Sequence, residues 1–80
     1  MAEKTIKSPL PGTFYRRPSP DADPFVSEGD SVQPGEVVGL VEIMKSFHEV
    51  KTEDGGTLER FLVESEEPVE AGQDIALIDG

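Results

Sequence analysis

Two stretches of this chain repeat one another, and the repeat limits the possible architecture more than any other feature. Residues Val26 to Glu42 (VSEGDSVQPGEVVGLVE) align with Val63 to Asp79 (VESEEPVEAGQDIALID) at an offset of 37. Val32 and Gly35 then fall opposite Val69 and Gly72, and an apolar run follows in both copies. Upstream, Gly12-Thr13-Phe14-Tyr15-Arg16 matches Gly56-Thr57-Leu58-Glu59-Arg60 at an offset of 44. The offsets differ by seven, so the first half carries about seven residues that the second lacks, between Arg16 and Phe25. Self-similarity of this kind means two related supersecondary units that share a core.

The units are built of strands. Eight glycines and seven prolines interrupt the chain every few residues and leave no room for helical periodicity. Between them lie short runs rich in Val, Ile, Phe and Leu: Gly12 to Tyr15, Glu36 to Met44, Phe47 to Thr52, Thr57 to Val63 and Asp74 to Asp79. Short strands at regular spacing joined by turns predict a small all-β sandwich or barrel. The extra segment, Arg-Pro-Ser-Pro-Asp-Ala-Asp-Pro, is stiffened by prolines, which fix φ and withhold N–H donors, so it is expected to stand outside the sheets as a loop.

From Glu36 to Thr52 no turn signal beyond Gly39 breaks the run. As one strand it would span roughly 56 Å, whereas a compact domain of this size is only about 30 Å across. The chain must therefore reverse near Met44, Lys45 and Ser46. Adding 37 to residue 45 lands just past Gly80, so the repeat sets this reversal opposite the chain ends and places Lys45 on a hairpin tip.

An exposed lysine amine is overwhelmingly protonated in neutral water and is a poor nucleophile unaided. Lys45 suits modification by another enzyme better than catalysis; the plain alternative is a surface lysine that keeps a turn soluble. Its apolar neighbours Ile43, Met44 and Phe47 favour a tip that another protein grips.

The rest of the composition narrows the function. Seventeen acidic against seven basic residues give a net charge of −10, which repels phosphate backbones and anionic lipid headgroups alike, so neither nucleic acid nor a membrane surface is expected as a partner. No stretch approaches the roughly 20 apolar residues of a membrane span, and no signal-peptide pattern is present, so a soluble intracellular protein is expected. With no cysteine and a single histidine, His48, no motif assembles a catalytic set. Asp21, Asp23, Glu28 and Asp30 do not fit the spacing of a calcium-binding loop.

Three segments taken together carry a resemblance: SPLPGTFYRRPSPDA (8 to 22), VEIMKSFHEV (41 to 50) and LVESEEPVEAGQ (62 to 73). The chain from Ser8 to Gly80 resembles the biotinyl domains of biotin carboxyl carrier proteins of acetyl-CoA carboxylase, within the biotinyl and lipoyl attachment family. The resemblance implies a flattened β-barrel or sandwich of two four-stranded halves with pseudo-twofold symmetry, preceded by an N-terminal extension over residues 1–7. It implies biotin in amide linkage to Lys45, with Met44 read by the biotin protein ligase. The proline-rich insert, about residues 16–24, corresponds to the protruding thumb of that family, and Arg17 stands where the family commonly has a threonine near the biotin ring. Ile43 and Ser46 also depart from the usual residues flanking Met-Lys. The implied role is that of a carrier and not an enzyme: it shuttles carboxylate between biotin carboxylase and carboxyltransferase, in the cytoplasm or, in a plant, the plastid. Two other readings stay open at this point: a lipoyl carrier domain of a dehydrogenase complex, and an unmodified β-sandwich interaction module docking through Met44 and Phe47.

Overall fold

A computed structural model describes residues 3–19 and 21–80. Eight strands follow one another: β1 (Glu3–Lys7), β2 (Gly12–Tyr15), β3 (Ser31–Val32), β4 (Val37–Ile43), β5 (Ser46–Lys51), β6 (Gly56–Phe61), β7 (Glu67–Val69) and β8 (Asp74–Asp79). They form two four-stranded antiparallel sheets, ordered β1-β8-β6-β3 and β5-β4-β2-β7. The sheets share no ladder among the described residues, so the sandwich form of the expected architecture is the one adopted, and the barrel is not closed.

The repeat is visible in three dimensions. Offsets of 44 and 37 carry β1 and β2 onto β5 and β6, and β3 and β4 onto β7 and β8. The same mapping converts one sheet order into the other. It extends to single hydrogen bonds. Gly35 N donates to Thr52 O at 2.7 Å, and Gly72 N donates to Ser8 O at 2.8 Å. Thr52 Oγ1 donates to Asp54 O at 2.7 Å, and Ser8 Oγ donates to Leu10 O at 2.6 Å. Among the described residues Thr52 and Ser8 are the two buried polar side chains, and each is satisfied by its own local turn, which offsets the cost of burying a hydroxyl.

Residues 3–7, expected as an extension outside the domain, form edge strand β1, paired with β8 from Glu3 opposite Asp79 to Lys7 opposite Asp74. Ile6 is the reason: it is the one large apolar side chain of the segment and it is buried in the core.

Phe14, Val38, Val41, Val50, Leu58, Ile75 and Ile78 are fully buried between the sheets. Phe14 lies so close to β4 that a Cβ on Gly39 would meet its ring at 2.5 Å, so glycine is required where ring and backbone touch. Truncating a buried phenylalanine to alanine typically costs about 3–5 kcal/mol. That is comparable with the entire stability of many small domains.

Candidate functional site

The reversal expected near Lys45 is a two-residue hairpin. Glu42 faces Phe47 and Ile43 faces Ser46 across β4 and β5, which leaves Met44 and Lys45 as the loop. Their φ angles are 48° and 69°, the positive values of a type I′ turn. Such turns favour Asn-Gly, because a side chain on left-handed backbone costs roughly 1–2 kcal/mol per residue. Met and Lys are held in this conformation by the strands below them, and strain of that kind concentrates at sites where geometry serves function.

The turn projects both side chains outward. Met44 is 93% exposed, Lys45 is exposed, and among the described residues Lys45 has no hydrogen bond or ion pair. Below the turn the hairpin is braced from β2. Tyr15 Oη donates to Glu42 Oε1 at 2.8 Å, and the Tyr15 ring lies 6.1 Å from that of Phe47. The hydrogen bond to Glu42 is the main cause of a Tyr15 pKa raised above 10.0; desolvation and the charges of Glu42 and Glu66 add to it.

The thumb leaves the sheet directly after Tyr15. Its neck is closed by Phe25 N donating to Arg16 O at 3.0 Å, and Arg16 N donates to Ser65 Oγ at 3.2 Å. The Arg16 guanidinium stacks 4.0 Å from the centroid of Phe61, a cation–π contact that fixes the base of the loop. Within the thumb, Ala22 N donates to Ser19 O at 3.1 Å.

Between thumb and hairpin lies a cleft of about 590 Å³, lined by Tyr15, Arg17, Pro18, Ser19, Phe47, Ser65 and Glu66. That volume is in the range of small-molecule sites, roughly 300–1,000 Å³. Of the residues singled out in the sequence, Arg17 and Phe47 both line this cleft, whereas Met44 and Lys45 stand on the turn and are not among its lining residues. Sequence reasoning missed Tyr15, Glu42, Ser65 and Glu66. Only Glu66 carried a signal: its counterpart at an offset of 37 is Gly29, and the two have φ of 67° and 94°. A carboxylate side chain thus occupies a left-handed position that glycine fills in the other half, and it forms part of the cleft wall.

An apolar wall of Tyr15, Phe47 and Pro18 that is open to solvent, and that shares Phe47 with the hairpin carrying an exposed lysine, suits a small ring system tethered to that lysine.

Comparison with known proteins agrees with this geometry. The model of the biotin and lipoyl family described as "Biotin-requiring enzyme" matches residues 4–78. Biotin carboxyl carrier protein of acetyl-CoA carboxylase 2, chloroplastic, from Arabidopsis thaliana is 47% identical over 64 residues, which cover 80% of this chain and 25% of that protein. Biotin carboxyl carrier protein of acetyl-CoA carboxylase from Pseudomonas aeruginosa is 42% identical over 73 residues, 91% of this chain and 47% of that protein. The chain thus spans less than half the length of these relatives. The crystal structure of Kluyveromyces lactis urea carboxylase superposes with a TM-score of 0.79 at 25% identity, covering 99% of this chain and 6% of that one. The match over nearly the whole chain, on a two-sheet sandwich with a lysine at its hairpin tip, shows that the chain belongs to the biotinyl and lipoyl attachment family of biotin-requiring enzymes.

Proposed function

We propose that this domain is a biotin carboxyl carrier: biotin is joined by an amide to Lys45 Nζ, and the domain moves carboxylate from a biotin carboxylase to a carboxyltransferase that acts on acetyl-CoA. The observation that carries this reading is the Met44–Lys45 turn, where a lysine is held at positive φ on a braced hairpin, exposed and without an ion-pair partner among the described residues. The names of the relatives favour biotin over lipoate, since both described above are biotin carboxyl carrier proteins.

The domain's own residues present, orient and shelter. A biotin protein ligase activates the carboxyl of biotin; Lys45 Nζ loses its proton, attacks the acyl carbon, and the activating group departs. The amide removes the lysine charge, so the arm enters a dry enzyme site without a buried cation. Met44, almost wholly exposed beside the acceptor, is the side chain the ligase reads. Tyr15, Phe47 and Pro18 offer the ring an apolar resting place on the domain itself. Biotin, when attached, supplies a ring nitrogen that accepts and releases carboxylate. Tethering replaces diffusion between two enzymes with a local concentration that can reach the millimolar range.

Intact mass after co-expression with a biotin protein ligase tests the reading. Wild type gains one biotinyl increment and Lys45→Arg gains none; a lipoyl increment, or biotin on Lys45→Arg, overturns it.

A further inference from the structure

The cleft holds a charge that its apolar walls do not explain. Arg17 is the one cation among the lining residues; it is exposed, and among the described residues no carboxylate lies within ion-pair distance of it. Neighbouring Arg16 is committed to Phe61, whereas Arg17 precedes Pro18, and the residue before proline is restricted to extended backbone, which limits how the side chain can leave the loop. The other charged group of the cleft is Glu66, and Glu42 is bonded to Tyr15 nearby. In a domain of net charge −10, an anion brought into this cleft finds one cation among the lining residues, Arg17, with Glu66 opposing it.

We propose that Arg17 is a specificity residue that discriminates between the empty and the loaded arm, pairing with the carboxylate cargo and slowing its spontaneous loss. This rests on the carrier reading above. An empty ureido ring is neutral and has only the apolar walls to hold it. With cargo, the same ring bears a planar carboxylate, the group that a guanidinium binds through two parallel N–H···O bonds. Spontaneous loss breaks the bond between nitrogen and the carboxyl carbon: carbon dioxide departs, the electron pair stays on the ring nitrogen, and that nitrogen takes a proton from water. Negative charge leaves the carboxyl oxygens during this step, so a cation that stabilises those oxygens raises the barrier. Release to an acceptor then follows only after the thumb's grip is exchanged for that of the receiving enzyme.

The test uses the whole chain, biotinylated and confirmed by intact mass, then loaded with isotope-labelled bicarbonate, ATP and a biotin carboxylase that is afterwards removed. Decay of the labelled carboxylate is followed by carbon NMR for wild type, Arg17→Ala, Arg17→Thr and Arg17→Lys, with melting curves confirming that each is folded. Arg17→Ala and Arg17→Thr are expected to lose label about two- to five-fold faster than wild type, the scale of an exposed ion pair, with Arg17→Lys between wild type and Arg17→Ala. Added salt accelerates decay in wild type and leaves Arg17→Ala unchanged. Equal decay in wild type and Arg17→Ala, or decay in wild type that ignores salt, overturns the role of Arg17 while leaving the carrier reading standing. Absence of the biotinyl increment at the first step overturns the carrier reading and the role of Arg17 with it.

Discussion

Tyr15 Oη and Glu42 Oε1 lie 2.8 Å apart, so the last residue of β2 ties the strand that leads into the Met44–Lys45 turn to the origin of the thumb. The Tyr15 ring also reaches Phe47 on β5, and a single side chain thereby braces both arms of the hairpin.

That bond makes the one tyrosine of the chain a spectroscopic reporter. Its pKa is raised above 10.0, chiefly because the phenol donates to Glu42. A raised acid binds its proton more tightly in the folded state, so the stability it contributes is complete below pH 10.0 and is lost as pH climbs through the folded value. Phenolate absorbance is expected to titrate above 10.0 in wild type and to move back toward it in Glu42→Ala. An unchanged midpoint in the variant would show that the bond does not set it.

Glu66 sits at positive φ where its counterpart Gly29 is free of side-chain strain. Glu66→Gly is expected to stabilise the domain by about 0.5–1 kcal/mol, the left-handed penalty less the added freedom of the unfolded chain. No heavy atom lies within 4 Å of a Cβ built on Gly29, so Gly29→Ala is disfavoured by backbone strain alone. Denaturant midpoints check both; destabilisation by Glu66→Gly would mean that its side chain contributes more than its backbone costs.

Met44 separates stability from recognition. Asparagine tolerates left-handed backbone, so Met44→Asn is expected to raise stability by about 0.5–1 kcal/mol. On the carrier reading proposed above, biotin transfer to Lys45 is nevertheless expected to slow, because the exposed thioether beside the lysine is gone. Melting and initial rates of biotinylation are measured on the same preparation, and a variant that is modified at the wild-type rate removes Met44 from recognition.

Glu59 lies on the bulge of β6, where the ladder to β8 skips from Leu58 to Arg60. Its pKa is raised above 4.5, first by a side-chain hydrogen bond with Glu3, then by the charge of Glu3, desolvation and Asp79, with Arg60 opposing. The folded state therefore holds this proton more tightly than the unfolded one, and the local contribution to stability falls as pH rises through that range. Glu59→Gln is expected to be more stable than wild type at neutral pH, with the gap closing on acidification toward 4.5. Paired melting curves across that interval decide it; a gap that does not change with pH removes Glu59 as its source.

Much of this architecture was legible because two halves had to satisfy the same geometry. The reversal at residue 45, the thumb after Arg16 and five of the strands followed from the repeat, the glycines and the limit that domain size places on strand length. Strand β1 was not found, although subtracting 44 from β5 points to it; alternating lysine and threonine around a single buried Ile6 give too weak an apolar signal. Strands β3 and β7 are too short to register as runs. The turn itself violates the usual preference for Asn-Gly, so only length could reveal it. The cleft was beyond reach, since Tyr15, Phe47 and Glu66 are brought together by strand register, which no local pattern encodes.

In the order β1-β8-β6-β3, the two strands synthesised first have no partner until β6 and β8 exist. A nascent chain that has emerged only as far as Lys45 holds the acceptor amine but lacks β5, and hence the hairpin that displays it. Neither sheet can close around non-local pairings of this kind until the later strands arrive. The interlacing therefore means that a polypeptide cut short near Lys45 contains the lysine without the hairpin that displays it.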